Sequence, residues 1–128
     1  MRTGKPGFQR ECHEWAFDAV GEAAATNIKE RATRFLEEAL ELAQACGLTE
    51  ANVNELAGYT FNRASGVIED EIGGVMITLG ALSEIVNVDM LDQGFRELRR
   101  VNRPEMIEKV SRKWATKPHF SVLPGKDA

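Results

Sequence analysis

The stretch Val67-Ile-Glu-Asp-Glu-Ile-Gly-Gly-Val-Met-Ile-Thr-Leu-Gly-Ala-Leu-Ser-Glu-Ile-Val86 sets the architecture of this chain. Ile68, Ile72, Val75, Met76, Leu79, Leu82 and Val86 recur at the three- and four-residue spacing of one helical face. Gly73, Gly74 and Gly80 interrupt the run, and each is about 1 kcal/mol less favourable than alanine inside a helix. The expected offset is another helix packed closely against the glycine side.

The same period extends in both directions. Phe8, Cys12, Trp15, Ala16 and Ala19 mark a first helix over about residues 8–20. The small residues 21–26 either continue it or form a link. Asn27 followed by Glu30 resembles a capping box. It opens a helix expected to bury Phe35, Leu36, Ala39, Leu40, Leu42, Ala43 and Cys46, with Gly47 as its stop. Thr49 reads as the N-cap of a shorter helix with Val53, Leu56, Ala57, Thr60 and Phe61 on one side. Residues 63–66 read as a turn. Asp89 caps a further helix, and Pro104 suits the first turn of a last one carrying Met106, Ile107, Val110 and Trp114. No strand-like alternation or internal repeat is apparent. The expectation is an all-α bundle of four to six helices over residues 1–116, then an extended or disordered tail over 117–128.

Composition narrows the function. The chain has 128 residues, 43% hydrophobic and 28% charged, ordinary for one globular domain. A formal net charge of −4 argues against general nucleic-acid binding through phosphates. No apolar run approaches the roughly 18 residues of a membrane span. The N-terminal Met-Arg-Thr-Gly-Lys-Pro-Gly lacks the apolar region of a signal peptide. Cys12 and Cys46 have no metal-site or disulfide spacing, which suggests two free, buried thiols and a cytoplasmic location.

Chemistry concentrates in Arg34-Phe-Leu-Glu-Glu-Ala-Leu-Glu-Leu-Ala-Gln-Ala-Cys46. Glu37, Glu38 and Glu41 share one flank of a helix, where like charges repel by roughly 0.2–0.5 kcal/mol per pair. A divalent cation with oxygen ligands explains their placement; a solvated face paired with Arg34 explains it too. Asp70 and Glu71 supply a second acidic pair that could face the first three across a helix pair, although acids in a first turn also favour the helix dipole. Lys109, Arg112 and Lys113 cluster on the last helix, where cations suit the dipole and, opposite a metal site, would hold phosphate oxygens. Trp15 and Trp114 could stack on a base, but aromatics at helical spacing usually belong to the core. Neither His13 nor His119 has a partner in sequence that suggests catalysis.

The combination of Phe35-Leu-Glu-Glu38-x-x-Glu41-Leu with Glu71-Ile-Gly-Gly-Val75 resembles the MazG-like all-α nucleoside triphosphate pyrophosphohydrolases. That family carries Glu-Glu-x-x-Glu on one helix and Glu-x-x-Asp on the next. The resemblance covers about residues 27–114. It implies Mg²⁺, with Mn²⁺ as a substitute, held by Glu38, Glu41 and Glu71, and hydrolysis of a nucleoside triphosphate to the monophosphate and pyrophosphate. Glu37 would orient or deprotonate water, and Lys109, Arg112 and Lys113, with Arg34, would contact phosphates. The family Asp position is Gly74 here, a vacancy that Asp70 or water would fill. The resemblance further implies a homodimer or homotetramer. The alternative is a non-enzymatic helical module that oligomerises and binds a partner; a phosphoribosyl-ATP-type hydrolase would share the chemistry.

Overall fold

The computed structural model describes residues 7–123. The N-terminal Met-Arg-Thr-Gly-Lys-Pro motif and tail residues 124–128 lie outside the described residues. Within them the chain is all-helical, in the order α1 (Gly7–Ala25), α2 (Ile28–Ala45), α3 (Glu50–Phe61), α4 (Ile68–Ile85), α5 (Met90–Val101) and α6 (Pro104–Ala115). Two compact units divide it: one runs up to Leu36 and resumes at Gly94, and the other is Glu37–Gln93.

Local chemistry explains most helix ends. Gly21, at φ 84°, kinks α1, so the small-residue stretch both continues the helix and bends it. This left-handed conformation suits glycine because no Cβ meets the carbonyl. Asn27 Oδ1 accepts from the Glu30 amide at 2.9 Å and caps α2. Thr49 and Asn52 form a complete capping box at the start of α3, Asp89 Oδ1 accepts from the Asp92 amide at 2.8 Å, and Pro104 sits in the first turn of α6.

An internal repeat runs through the middle of the chain, contrary to the sequence reading. The boundaries of α4 and α5 (68, 85, 90 and 101) each lie 40 residues beyond those of α2 and α3 (28, 45, 50 and 61). The connections match as well. After α2, Gly47 at φ 97° donates to Gln44 O and Leu48 to Ala43 O. After α4, Asn87 at φ 61° donates to Glu84 O and Val88 to Ser83 O. Both are Schellman closures, and each is followed two residues later by the cap of the next helix. Glycine in one copy and asparagine in the other perform the same task, because both tolerate the left-handed conformation.

In the first unit, the core lies between α1 and α6. Ala16, Ala19, Val20, Ala24 and Ala25 pack with Trp114, flanked by Trp15, Phe17, Ile107, Val110 and Leu123. Alanines let the α6 indole approach the α1 backbone. Phe8 packs edge-on against Phe95 with ring centroids 4.9 Å apart, above Gly94.

Glu30 is 1% exposed, yet it carries a carboxylate. Trp114 Nε1 donates to its Oε2 at 2.7 Å, and Arg34 Nε lies 3.1 Å from the same oxygen. Its Oε1 lies 3.1 Å from His119 Nδ1. The side chain therefore does not close the capping box expected with Asn27; only the Asn27 half of that motif forms. Burial on its own pushes this carboxyl up, but the Trp114 and His119 hydrogen bonds and the Arg34 charge outweigh it, and the net direction is down.

Among the described residues, several apolar side chains expected to form the core of α2 and α4 are exposed. Phe35 and Leu36 are 52% and 55% exposed, and Ile68 and Ile72 are 63% and 61% exposed. Among the described residues α3 has no buried residue, and in α4 only Ser83 is buried. A Cβ built at Gly73, Gly74 or Gly80 would meet nothing within 4 Å, so among the described residues no helix packs against that stripe. Cys46, expected to be buried, is exposed, while Cys12 is partly buried and burial raises its thiol pKa.

Replacing Glu30 with alanine strands the Trp114 donor and two arginines. We expect Glu30→Ala to lower the unfolding free energy by about 3–5 kcal/mol, measured by urea denaturation. A depressed carboxyl stabilises the fold above the ordinary unfolded carboxylate pKa of about 4.3 and loses that contribution as pH falls through the folded value. Glu30→Gln should therefore show a flatter stability profile below about pH 5 than the parent chain. Superimposable acid limbs would refute the role assigned to the charge.

Candidate functional site

Helix α2 carries the acidic run into the second unit. Glu37 is half-buried, and Glu38 and Glu41 are exposed along the stretch that closes at Gly47. The expected site also draws on the start of α4. There the N-cap residue, Val67, makes no side-chain cap, and Glu69, Asp70 and Glu71 fill the first turn. Three carboxylates in the first turn complement the positive end of the helix dipole, so this acidic cluster has a local physical role whatever else it does.

Glu71 is held in a particular way. Its carboxylate bends back over Gly66 and fills the space a Cβ there would occupy. Gly66 thus accommodates a folded-back acid, which the turn-like sequence of residues 63–66 did not reveal. Asp70 and Glu71 are both exposed. Gly74, at the position of the expected fourth acid, faces open space.

Among the described residues, no three His, Cys, Asp or Glu side chains come close enough to hold a metal ion.

The expected phosphate-binding cations lie on α6 in the first unit. Lys109, Arg112 and Lys113 are exposed, and Arg112 Nη1 donates to Glu108 Oε1 at 2.8 Å. Arg34, read from sequence as a partner of the acidic run, also lies against Glu30 and donates through Nη2 to the Pro118 carbonyl. Trp15 is partly buried against the α1–α6 core, and its Nε1 donates to Val101 O at 3.2 Å at the end of α5. That gives the indole a structural task. An open depression on α1, lined by His13, Glu14, Phe17 and Asp18, contains none of the expected site residues.

Sequence reasoning missed His119. It lies in residues 117–123, which form neither helix nor strand. Its ring packs edge-on against Trp114 with centroids 4.9 Å apart, and its Nε2 lies 2.8 Å from Trp114 O. Its partner Glu30 is 89 residues away in sequence, so no local motif marks it.

No family model, curated protein or solved structure matches the chain. Among the described residues, no single helix is long and apolar enough to cross a membrane.

The Gly66–Glu71 arrangement generates a direct prediction. A methyl group at Gly66 meets only the mobile end of the Glu71 side chain. We expect Gly66→Ala to change stability by no more than about 0.5 kcal/mol while moving the Glu71 carboxyl resonance in a ¹³C NMR spectrum. An unmoved resonance would show that Glu71 does not rest over Gly66 in solution.

Proposed function

We propose that this chain is a MazG-like nucleoside triphosphate pyrophosphohydrolase that works as a homo-oligomer, yielding a monophosphate and pyrophosphate. The observation that carries the reading is the pairing of acids on two helices of one unit. Glu37, Glu38 and Glu41 lie on α2, and Glu71 lies in the first turn of α4, separated by the short helix α3. Such spacing suits chemistry on a polyphosphate, whose hydrolysis needs charge neutralisation and an oriented water.

Mg²⁺, or Mn²⁺ in its place, is the cofactor that the resemblance implies. No step is assigned through the ion. The residue chemistry is nonetheless specific. Glu37, half-buried beside two further carboxylates, is the group proposed to accept a proton from the attacking water. Lys109, Arg112 and Lys113 are the cations proposed to hold the β- and γ-phosphates.

Assembly supports the same reading. Ile68, Ile72, Met76, Ile77 and Ile85 of α4 are each at least half exposed, and full burial of such a side chain is worth roughly 1.5–3 kcal/mol. An apolar face of this extent is a contact surface. A second copy, presenting the same glycine-rich helix, is the proposed occupant, and its acidic helices would complete the site. The competing reading is a non-enzymatic oligomerisation module. Gly74 and the lack of a grouped metal site in one chain favour it.

The deciding assay is pyrophosphate release from a panel of ribo- and deoxyribonucleoside triphosphates with Mg²⁺ or Mn²⁺. We expect Glu38→Gln and Glu41→Gln each to reduce release at least about 100-fold, the loss expected for a group that stabilises transition-state charge, with the circular dichroism spectrum unchanged. Full activity in either variant would overturn the assignment, and no release from any substrate would favour the binding module.

The assembly is tested separately. Light scattering at micromolar concentration should give a species heavier than the 14.2 kDa chain. Gly74→Asp is sterically free within one chain, so it should leave the monomer folded and weaken the oligomer by placing a charge in the contact. A stable monomer in the parent chain would sink the proposal.

A further inference from the structure

The ring of His119 stands between two acceptors. Nδ1 lies 3.1 Å from Glu30 Oε1, and Nε2 lies 2.8 Å from the Trp114 carbonyl oxygen. A neutral imidazole has one N–H and satisfies only one of them; the imidazolium donates to both. The alternative is a protonated Glu30, which would donate from Oε1 to Nδ1. The surroundings of Glu30 oppose this. Its Oε2 already accepts from Trp114 Nε1 and faces Arg34 Nε at 3.1 Å and Arg31 Nη2 at 3.6 Å.

We propose that His119 is a proton-dependent clasp that fastens residues 117–123 to α2 and α6, closed when the imidazole carries both protons and released when it loses one. With Glu30 ionised, loss of the Nδ1 proton sets a ring lone pair against the lone pair of a carboxylate that is itself fully buried. Loss of the Nε2 proton instead leaves the Trp114 carbonyl without its ring donor. Either way the segment gives up one of its anchors. Other ties persist, among them the Lys117 amide hydrogen bond to Trp114 O at 3.2 Å, the Arg34 hydrogen bond to the Pro118 carbonyl and the packing of Leu123 on the α1–α6 core.

The charged groups around the ring set the balance. From α2 come Glu30, which favours the imidazolium, and Arg34 and Arg31, which oppose it. From α6 come the Trp114 carbonyl and indole edge, and the segment itself contributes Lys117. The buried side chains that α1 brings to this cluster are apolar: Ala16, Ala19, Val20, Ala24 and Ala25. One carboxylate facing two arginines and an imidazolium leaves the ring proton as the easiest charge to remove, since guanidinium groups stay protonated. The proposal is independent of the proposed hydrolase activity, because it concerns neither the acidic run nor a ligand.

The test combines ¹⁵N NMR of the histidine ring with amide hydrogen exchange between pH 5.5 and 8.5, corrected for intrinsic exchange. The expected result is two protonated ring nitrogens for His119 at the acid end. Exchange at residues 119–123 should then accelerate roughly tenfold or more as the ring titrates, while Ala19 and Ala24 stay protected. His119→Gln, which cannot donate at both ends, should exchange quickly in this segment at every pH with α1 unchanged. A neutral ring with the segment still protected would overturn the proposal. So would protection of 119–123 that does not vary with pH in the parent chain, or that survives in His119→Gln.

Discussion

A carboxylate removed from water is among the costliest groups a small domain can hold, and Glu30 is 1% exposed. It is tolerated because partners arrive from two directions in sequence. Arg31 and Arg34 come from its own helix, and Trp114 and His119 come from the far end of the chain. The rest of the first unit follows from this. The indole must point inward to donate, which places its rings against the alanines of α1, and α6 must run where Trp114 can reach. Residues 117–123 lie across the same point. An apolar pair could fill the volume, but it would not select one register of α6 against α2.

The second unit is organised on a different basis. Its helices α3 and α4 are specified by caps and turns, with almost no burial to support them. The 40-residue repeat of an 18-residue helix, a Schellman closure and a capped 12-residue helix is built from local hydrogen bonds. Short helices in water are marginal without tertiary packing. Among the described residues, α4 leaves apolar side chains exposed and its glycine stripe open.

Helix positions were legible in the sequence because their causes are local. Asn27, Gly47, Thr49, Asp89 and Pro104 each act within a few residues through a capping bond or a fixed φ, and each stands where its residue type predicts. The repeat was equally local but hidden. Gly47 and Thr49 in one copy correspond to Asn87 and Asp89 in the other, and a comparison of residue identities misses a correspondence of conformational tasks. The signal was present as two left-handed-tolerant residues, each followed two positions later by a cap.

Burial and partnership were not legible, for reasons of distance and assembly. The period of Phe35, Leu36, Ile68 and Ile72 marks faces that avoid water, but not whether this chain or another covers them. The acidic run could be read from spacing, and so could the first-turn acids of α4; whether they meet depends on helix placement. Glu30 looked like half of a capping box, and His119 like an unremarkable tail residue. Their contact, with Trp114, spans more than 80 positions. The sequence by itself determined where helices start and stop, since those bonds close within one or two turns. Only the tertiary structure decided which charge is buried and what neutralises it, because that energy comes from groups that meet after the chain has folded back on itself.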